Sequence, residues 1–311
     1  MVPPAISRLT GSLSGLLAFP VTPFTESGDV NLPRLRTHLS DVLTAKPSAI
    51  FIACGTGELA SLTATEHQAV VGAAVEQVAG AVPVLAGVGG GTRTAAEFAR
   101  AAQAAGADGL LALPPYLQVG PPAGLVEHYR QVAAATDLGV ILYQRGTAIF
   151  SPAAVAELAE VDNIVALKDG HGDMELLQLI NTATAGRLPL LNGMPTAEVF
   201  ARAYAGLGAR AYSSAALAFV PEVAVAFFQA FESGDEATQE LLLREFYAPL
   251  ADLRTSTPGY AVSLVKAGLD LRGRSAGPVR SPLAELTPEH REQLSRIIDR
   301  GLAALNATPV A

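Results

Sequence analysis

The sequence predicts an α/β protein in which eight parallel strands and their helices close into a (β/α)₈ barrel, followed by a helical appendage. Three observations predict it: short apolar runs recur eight times along the first two thirds of the chain, stretches of helical period separate them, and beyond Pro221 only helical patterning remains. Runs that are apolar without alternation mark strands buried on both faces, as parallel strands covered by helices are. The spacing is even, no glycine-rich first turn of dinucleotide type is present, and polar residues end the apolar runs around the whole series. These features favour a closed barrel over a doubly wound open sheet.

In chain order the runs are GLLAFPV from Gly15, AIFIAC from Ala49, PVLAGVG from Pro83, GLLAL from Gly109, GVILYQ from Gly139, IVALK from Ile164, PLLNG from Pro189 and ARAYSSA from Ala209. TATEHQAVVGAAVEQVAG, between the second and third, has helical period and opens with Thr63 and Glu66 at capping-box spacing. TRTAAEFARAAQAAG follows the third run in the same way. GVGGGT at residues 87–92 lacks the lysine and the spacing of a phosphate loop and is read as a tight strand-to-helix connection. The tail carries EVAVAFFQAFESGDEATQELLLREFYAPLADL, GYAVSLVKAGLDL and TPEHREQLSRIIDRGLAAL. No low-complexity tract divides the chain, so residues 1–225, a (β/α)₈ TIM barrel carrying the catalytic site, and residues 226–311, a C-terminal helical region, are expected to pack as one body.

Composition narrows the function classes. With 311 residues, 50% of them hydrophobic, the chain has ample material for a large core. A net charge of −8 offers no footprint for a phosphate backbone or an acidic membrane surface, so neither nucleic acid nor membrane is an expected partner. The single cysteine, Cys54, excludes an internal disulfide, and five histidines show no zinc-ligand spacing, so no metal is expected. The N-terminal stretch MVPPAISRLTGSLSGLLAFPVTPF has no basic leader region and is broken by Pro20 and Pro23, and no apolar run approaches a membrane span. A cytoplasmic location is expected.

Catalytic groups of such a barrel sit at the C-terminal ends of its strands. Those ends supply Thr22, the GTGE turn (Gly55, Thr56, Gly57, Glu58), Tyr143 and Arg145, Lys168, Asn192 with Gly193, and Ser213 with Ser214. Lys168 has two readings. It is either a snorkelling lysine ion-paired to Asp169 or Asp173, or a desolvated amine that attacks a carbonyl and forms a Schiff base. Tyr143 favours the second, because a phenol at a neighbouring strand end can relay protons as the imine forms and breaks. The GTGE turn exposes backbone N–H groups beside a threonine hydroxyl, a cradle suited to a carboxylate. Arg145 is either a bidentate grip on a substrate carboxylate or a partner in an ordinary inter-loop ion pair. His171, on a glycine-flanked loop, is not expected to be the base.

Taken in order, GTGE, LPPYL, LYQR, LKDGHGD, GMPTAEVF, YSSA and GYAVSLVKAG resemble the dihydrodipicolinate synthase and N-acetylneuraminate lyase superfamily of lysine-dependent barrels. The likeness runs from AFPVTPF to AGPVRSPLAELT, and LKDGHGD with GPVRSPL point to the decarboxylating dehydratase branch. The resemblance implies a homotetramer, no metal or organic cofactor, and a small-molecule keto-diacid substrate bound as an imine on Lys168 with Tyr143 as proton relay. It implies that Thr56, with Gly55 and Gly57, holds the carboxylate beside the ketone and that Ser213 and Ser214 line the pocket near the distal groups. Asn192, Gly193 and Arg145 complete the expected substrate-binding set. The chain departs from the wider pattern at Gly55, where the synthases carry a second hydroxyl, at Leu117 after Tyr116, at Cys54 and at Gln144. A lysine-dependent aldolase or synthase, and a sugar-acid-binding barrel without catalysis, are the alternatives.

Overall fold

The computed structural model of the chain describes residues 9–307, so the beginning of the N-terminal stretch read for a leader lies outside the described residues. The eight expected strands form: β1 (Leu16–Ala18), β2 (Ala49–Ile52), β3 (Val84–Val88), β4 (Gly109–Ala112), β5 (Gly139–Gln144), β6 (Ile164–Asp169), β7 (Leu190–Asn192) and β8 (Tyr212–Ser214). Each pairs in parallel with its chain neighbour and β8 pairs with β1, which closes the barrel. Nearly every strand position is buried, since the lumen covers one face and the helices the other.

The covering helices are α1 (Leu32–Thr44), α2 (Ala64–Val78), α3 (Thr92–Ala104), α4 (Pro122–Ala133), α5 (Pro152–Leu158), α6 (Met174–Ala183), α7 (Ala197–Ala205) and α8 (Pro221–Ser233). The capping box read at Thr63 is present in both directions, the Thr63 hydroxyl accepting from the Glu66 amide and the Glu66 carboxylate from the Thr63 amide. GVGGGT is a strand-to-helix connection. A Cβ on Gly87 would sit 2.3 Å from the Ala53 carbonyl oxygen, so only glycine lets β3 pass the end of β2 this closely.

The tail continues as α9 (Glu236–Leu242), a π-helical turn over Leu243–Tyr247, α10 (Ala248–Thr255), α11 (Tyr260–Leu271) and α12 (Pro288–Ala307). The expected boundary after residue 225 falls inside α8. No helix among the described residues is long and apolar enough to cross a membrane.

The helix layer buries a histidine. His38 of α1 is 1% exposed, and its Nε2 has no hydrogen-bond partner among the described residues. Burial, reinforced by Arg34 and Arg274, lowers its pKa from 6.5 to about 3. In the unfolded chain the ring binds a proton near pH 6.5, whereas the folded protein resists it until about pH 3. Stability from this group is therefore complete above pH 6.5 and is lost progressively as pH falls through that window. At about 1.4 kcal/mol per pH unit the loss reaches roughly 4 kcal/mol by the lower limit. Denaturant unfolding of His38→Gln should show a visibly shallower fall in stability with acid than the parent; parallel profiles would remove His38 as a cause of acid lability.

Candidate active site

Strand parity decides which side chains reach the lumen. Adjacent strands β5 and β6 place Tyr143 opposite Lys168 and Gln144 opposite Asp169. Side chains alternate along a strand, so Tyr143 and Lys168 point inward together while Gln144 and Asp169 point into the helix layer. There the Gln144 amide nitrogen donates to Asp169 at 2.8 Å, and the Tyr204 hydroxyl of α7 donates to the other Asp169 oxygen. Asp169 also accepts from the amides of His171 and Gly172, which anchors the loop that follows the lysine. His171 itself is exposed.

Lys168 is 3% exposed, and its amine lies 3.9 Å from the centre of the Tyr143 ring and 4.9 Å from that of Phe19. Neither candidate counter-ion pairs with it: Asp169 is engaged as described, and Asp173 caps α6 by accepting from the Leu176 amide. The ion-paired reading of the lysine is thereby excluded. Gly193 makes room for the amine, because a Cβ there would stand 2.7 Å from Lys168 Nζ. Its carbonyl accepts from the Tyr143 hydroxyl at 3.2 Å, and Arg145 donates to the same hydroxyl oxygen at 3.1 Å. Burial alone would raise the Tyr143 pKa, but Lys168 and Arg145 outweigh it and hold the phenol below its ordinary value. A phenol so placed is suited to exchanging protons beside the amine. Burial pushes the nearby Cys54 thiol up to about 12, which keeps it protonated and unreactive.

The GTGE turn follows β2. Thr56 makes no hydrogen bond within the chain among the described residues, which leaves its amide and hydroxyl for a ligand. The turn is held from three directions. The Thr22 hydroxyl donates to the Gly57 carbonyl at 2.7 Å. Glu58, in the left-handed region at φ 56°, forms an ion pair at 2.7 Å with Lys266 of α11, and both side chains are buried. Its second oxygen accepts from the Arg280 amide at 3.0 Å, while the Arg280 side chain pairs with Glu66 and donates to the carbonyls of Gly28 and Ser61. The Phe24 ring packs against both cations, 4.1 Å from Lys266 Nζ and 4.2 Å from Arg280 Cζ. Three distant sequence segments, GTGE, SLVKAG and GPVRSPL, thus meet at one point behind the turn that carries Thr56.

These groups open into a cavity of about 350 Å³ at the C-terminal end of the barrel, a size suited to a small metabolite. Of the residues singled out in the sequence, Gly55, Thr56, Tyr143, Arg145, Lys168, Gly193 and Ser213 line it. Gly57, Asn192 and Ser214 do not. Gly57 packs against the Ala53 backbone, and Asn192 spends its amide on the Ala197 carbonyl and the Met194 amide. Ser214 donates to the buried Glu198 at 2.6 Å. Asn192 is in register with Asp169 and with Tyr212, and Ser214 lies two residues beyond Tyr212, so both belong to the outward-facing parity. Sequence reading missed Phe19, Tyr116, Thr196, the face of α11 formed by Ala261, Val262, Leu264 and Val265, and Arg254 of α10. Among the described residues three cations, Arg145, Lys168 and Arg254, line the cavity, and no carboxylate does.

Residues 12–300 match the model of the dihydrodipicolinate synthetase family. A protein of Streptomyces coelicolor named probable 5-dehydro-4-deoxyglucarate dehydratase 1 is 52% identical over 303 residues, covering 96% of each chain. A protein of the same name from Streptomyces avermitilis is 51% identical over 296 residues, 94% of this chain and 95% of its own. Among solved structures, dihydrodipicolinate synthase from Oceanobacillus iheyensis superposes with a TM-score of 0.87 at 26% identity over 97% of this chain and all of its own. A prophage protein of the dihydrodipicolinic acid synthase family from E. coli K12, solved in complex with pyruvate, gives 0.83 at 27% identity over 93% of this chain and 98% of its own.

Proposed function

The chain belongs to the dihydrodipicolinate synthetase family, and from that premise we propose that it converts 5-dehydro-4-deoxyglucarate to 2,5-dioxopentanoate, water and carbon dioxide through a Schiff base on Lys168. The observation that carries this reading is the charge of the cavity, three cations without an acid, which suits a dianionic substrate that reacts with an amine. The names borne by the Streptomyces relatives point to the same diacid.

Lys168 adds to the ketone and water leaves, giving a protonated imine. This electron sink acidifies the adjacent methylene, and loss of a proton yields an enamine. The enamine expels the neighbouring hydroxyl as water, and a conjugated iminium results. The bond to the far carboxylate then breaks, carbon dioxide departs, and its electron pair enters the conjugated system. Protonation and hydrolysis free the lysine and release the five-carbon keto-aldehyde. Thr56 and the Gly55 turn hold the carboxylate beside the ketone, Arg145 holds the far one, and Ser213 contributes its hydroxyl.

Tyr143 carries the proton transfers at the imine. Tyr143→Phe should therefore lower kcat by about 10²- to 10⁴-fold with a smaller change in KM, the range expected for loss of a general acid–base group. Unaltered kcat would remove Tyr143 from the scheme. The activity itself is tested by product analysis with purified enzyme. One carbon dioxide and one 2,5-dioxopentanoate per substrate supports the dehydratase, whereas pyruvate with a three-carbon aldehyde acid identifies an aldolase instead.

A cytoplasmic homotetramer with no nucleic-acid or membrane partner completes the proposal. Apolar residues exposed on the loop after β4, Tyr116 at 50%, Leu117 at 99% and Val119 at 78%, offer a surface that a neighbouring copy would cover. We treat residues 1–225 as the catalytic barrel and 226–311 as the helical region packed on it, whose α10 and α11 complete the cavity wall.

A further inference from the structure

Arg254 has no place in the scheme above, and its surroundings ask for one. It projects from α10 into the cavity that also holds Arg145 and Lys168. Its Nε is buried without a hydrogen-bond partner, and no carboxylate pairs with its guanidinium among the described residues. Among the described residues ten other arginines have a carboxylate within ion-pair distance. Burial, together with the Arg145 charge, lowers the Arg254 pKa from its ordinary value, so the fold bears an electrostatic cost at this position. An unpaired guanidinium facing a second one across a cavity free of acids is compensated when an anion enters between them.

We propose that Arg254 is a specificity-determining residue that joins Arg145 in binding the carboxylate farthest from the imine, so that the enzyme selects diacids over monoacids of equal length. The inference deepens the reading of the site as one for a keto-diacid and rests on it. The two cations come from different elements, the loop after β5 and helix α10. Donors from two directions fix both the position and the rotation of a carboxylate, which a single guanidinium does less completely. Position matters here, because it sets the direction of the bond to that carboxylate, which has to align with the conjugated iminium when carbon dioxide is lost.

The test separates anion recognition from turnover by using two six-carbon 2-oxo acids without hydroxyl groups. 2-Oxoadipate carries the second carboxylate and 2-oxohexanoate lacks it. Each is titrated against full-length enzyme, and the imine is trapped with borohydride and counted by intact mass. The parent should reach half-maximal trapping at a much lower concentration of 2-oxoadipate than of 2-oxohexanoate. Arg254→Met should reduce that preference by about 10- to 100-fold, the effect of losing a charged hydrogen-bonding partner, while trapping 2-oxohexanoate as the parent does. Arg254→Lys should keep part of the preference, which a purely structural role would not predict.

An unchanged preference in Arg254→Met overturns the proposal and leaves the imine chemistry standing. So does a parent that traps both acids equally well. A parent that traps neither acid at Lys168 instead refutes the Schiff-base reading on which the proposal rests.

Discussion

Lys168→Ala is expected to lose turnover by about 10⁴-fold or more, the scale seen when a covalent nucleophile is removed, and to lose the borohydride-trapped adduct entirely. The expectation follows from the position of the amine. It is buried at the end of β6, flanked by the rings of Tyr143 and Phe19, and paired with no carboxylate among the described residues. The lost side chain carries no ion pair, so the fold should survive the change, and the variant should retain the parent's near-ultraviolet circular dichroism. Residual activity within tenfold of the parent would return Lys168 to a structural role.

The second large effect concerns stability. Lys266→Met should destabilise the protein by about 3–5 kcal/mol, because it leaves the Glu58 carboxylate buried without its counter-charge. The pair is closed to solvent on both sides, with side-chain exposures of 1% and 0%. Denaturant unfolding measures the loss. The double variant Lys266→Met/Glu58→Gln should recover most of it, since no unpaired charge is then left inside. A single variant within 1 kcal/mol of the parent would show that the pair is dispensable. Thr56 lies on the same turn, so Lys266→Met should also raise KM for the diacid at temperatures where the variant is folded.

Much of this was legible in the chain itself, and the reasons differ by element. Parallel strands covered on both faces need continuous apolar runs, so all eight were visible as such. Lys168 and Tyr143 stood out because polar groups that end buried strands demand an explanation. Asn192 and Ser214 were misplaced for a physical reason: a strand end marks the rim of the barrel, but only register assigns a residue to the lumen or to the helix layer. Ser213 and Ser214 are neighbours in sequence, yet one lines the cavity and the other bonds to Glu198.

Arg254 and the apolar face of α11 lay beyond sequence reading altogether. Helical period states that one face is buried without stating against what. The path from α9 to α10 also runs through a π-helical turn at Leu243–Tyr247 just before Pro249, which shifts the facing of everything after it. The roles of Glu58, Lys266 and Arg280 were hidden for a related reason. Each belongs to a segment that carried the family resemblance, but their mutual contact is set by tertiary packing across more than two hundred residues.

If one amine carries the whole reaction, every turnover passes through a covalent adduct on Lys168. The parent enzyme is reduced with borohydride during turnover of 5-dehydro-4-deoxyglucarate, its intact mass and peptide map are recorded, and carbon dioxide is followed in parallel. A single adduct confined to the peptide containing Lys168 is expected, with carbon dioxide evolved in step with substrate consumption. Carbon dioxide released with no adduct, or with an adduct on another residue, would contradict it.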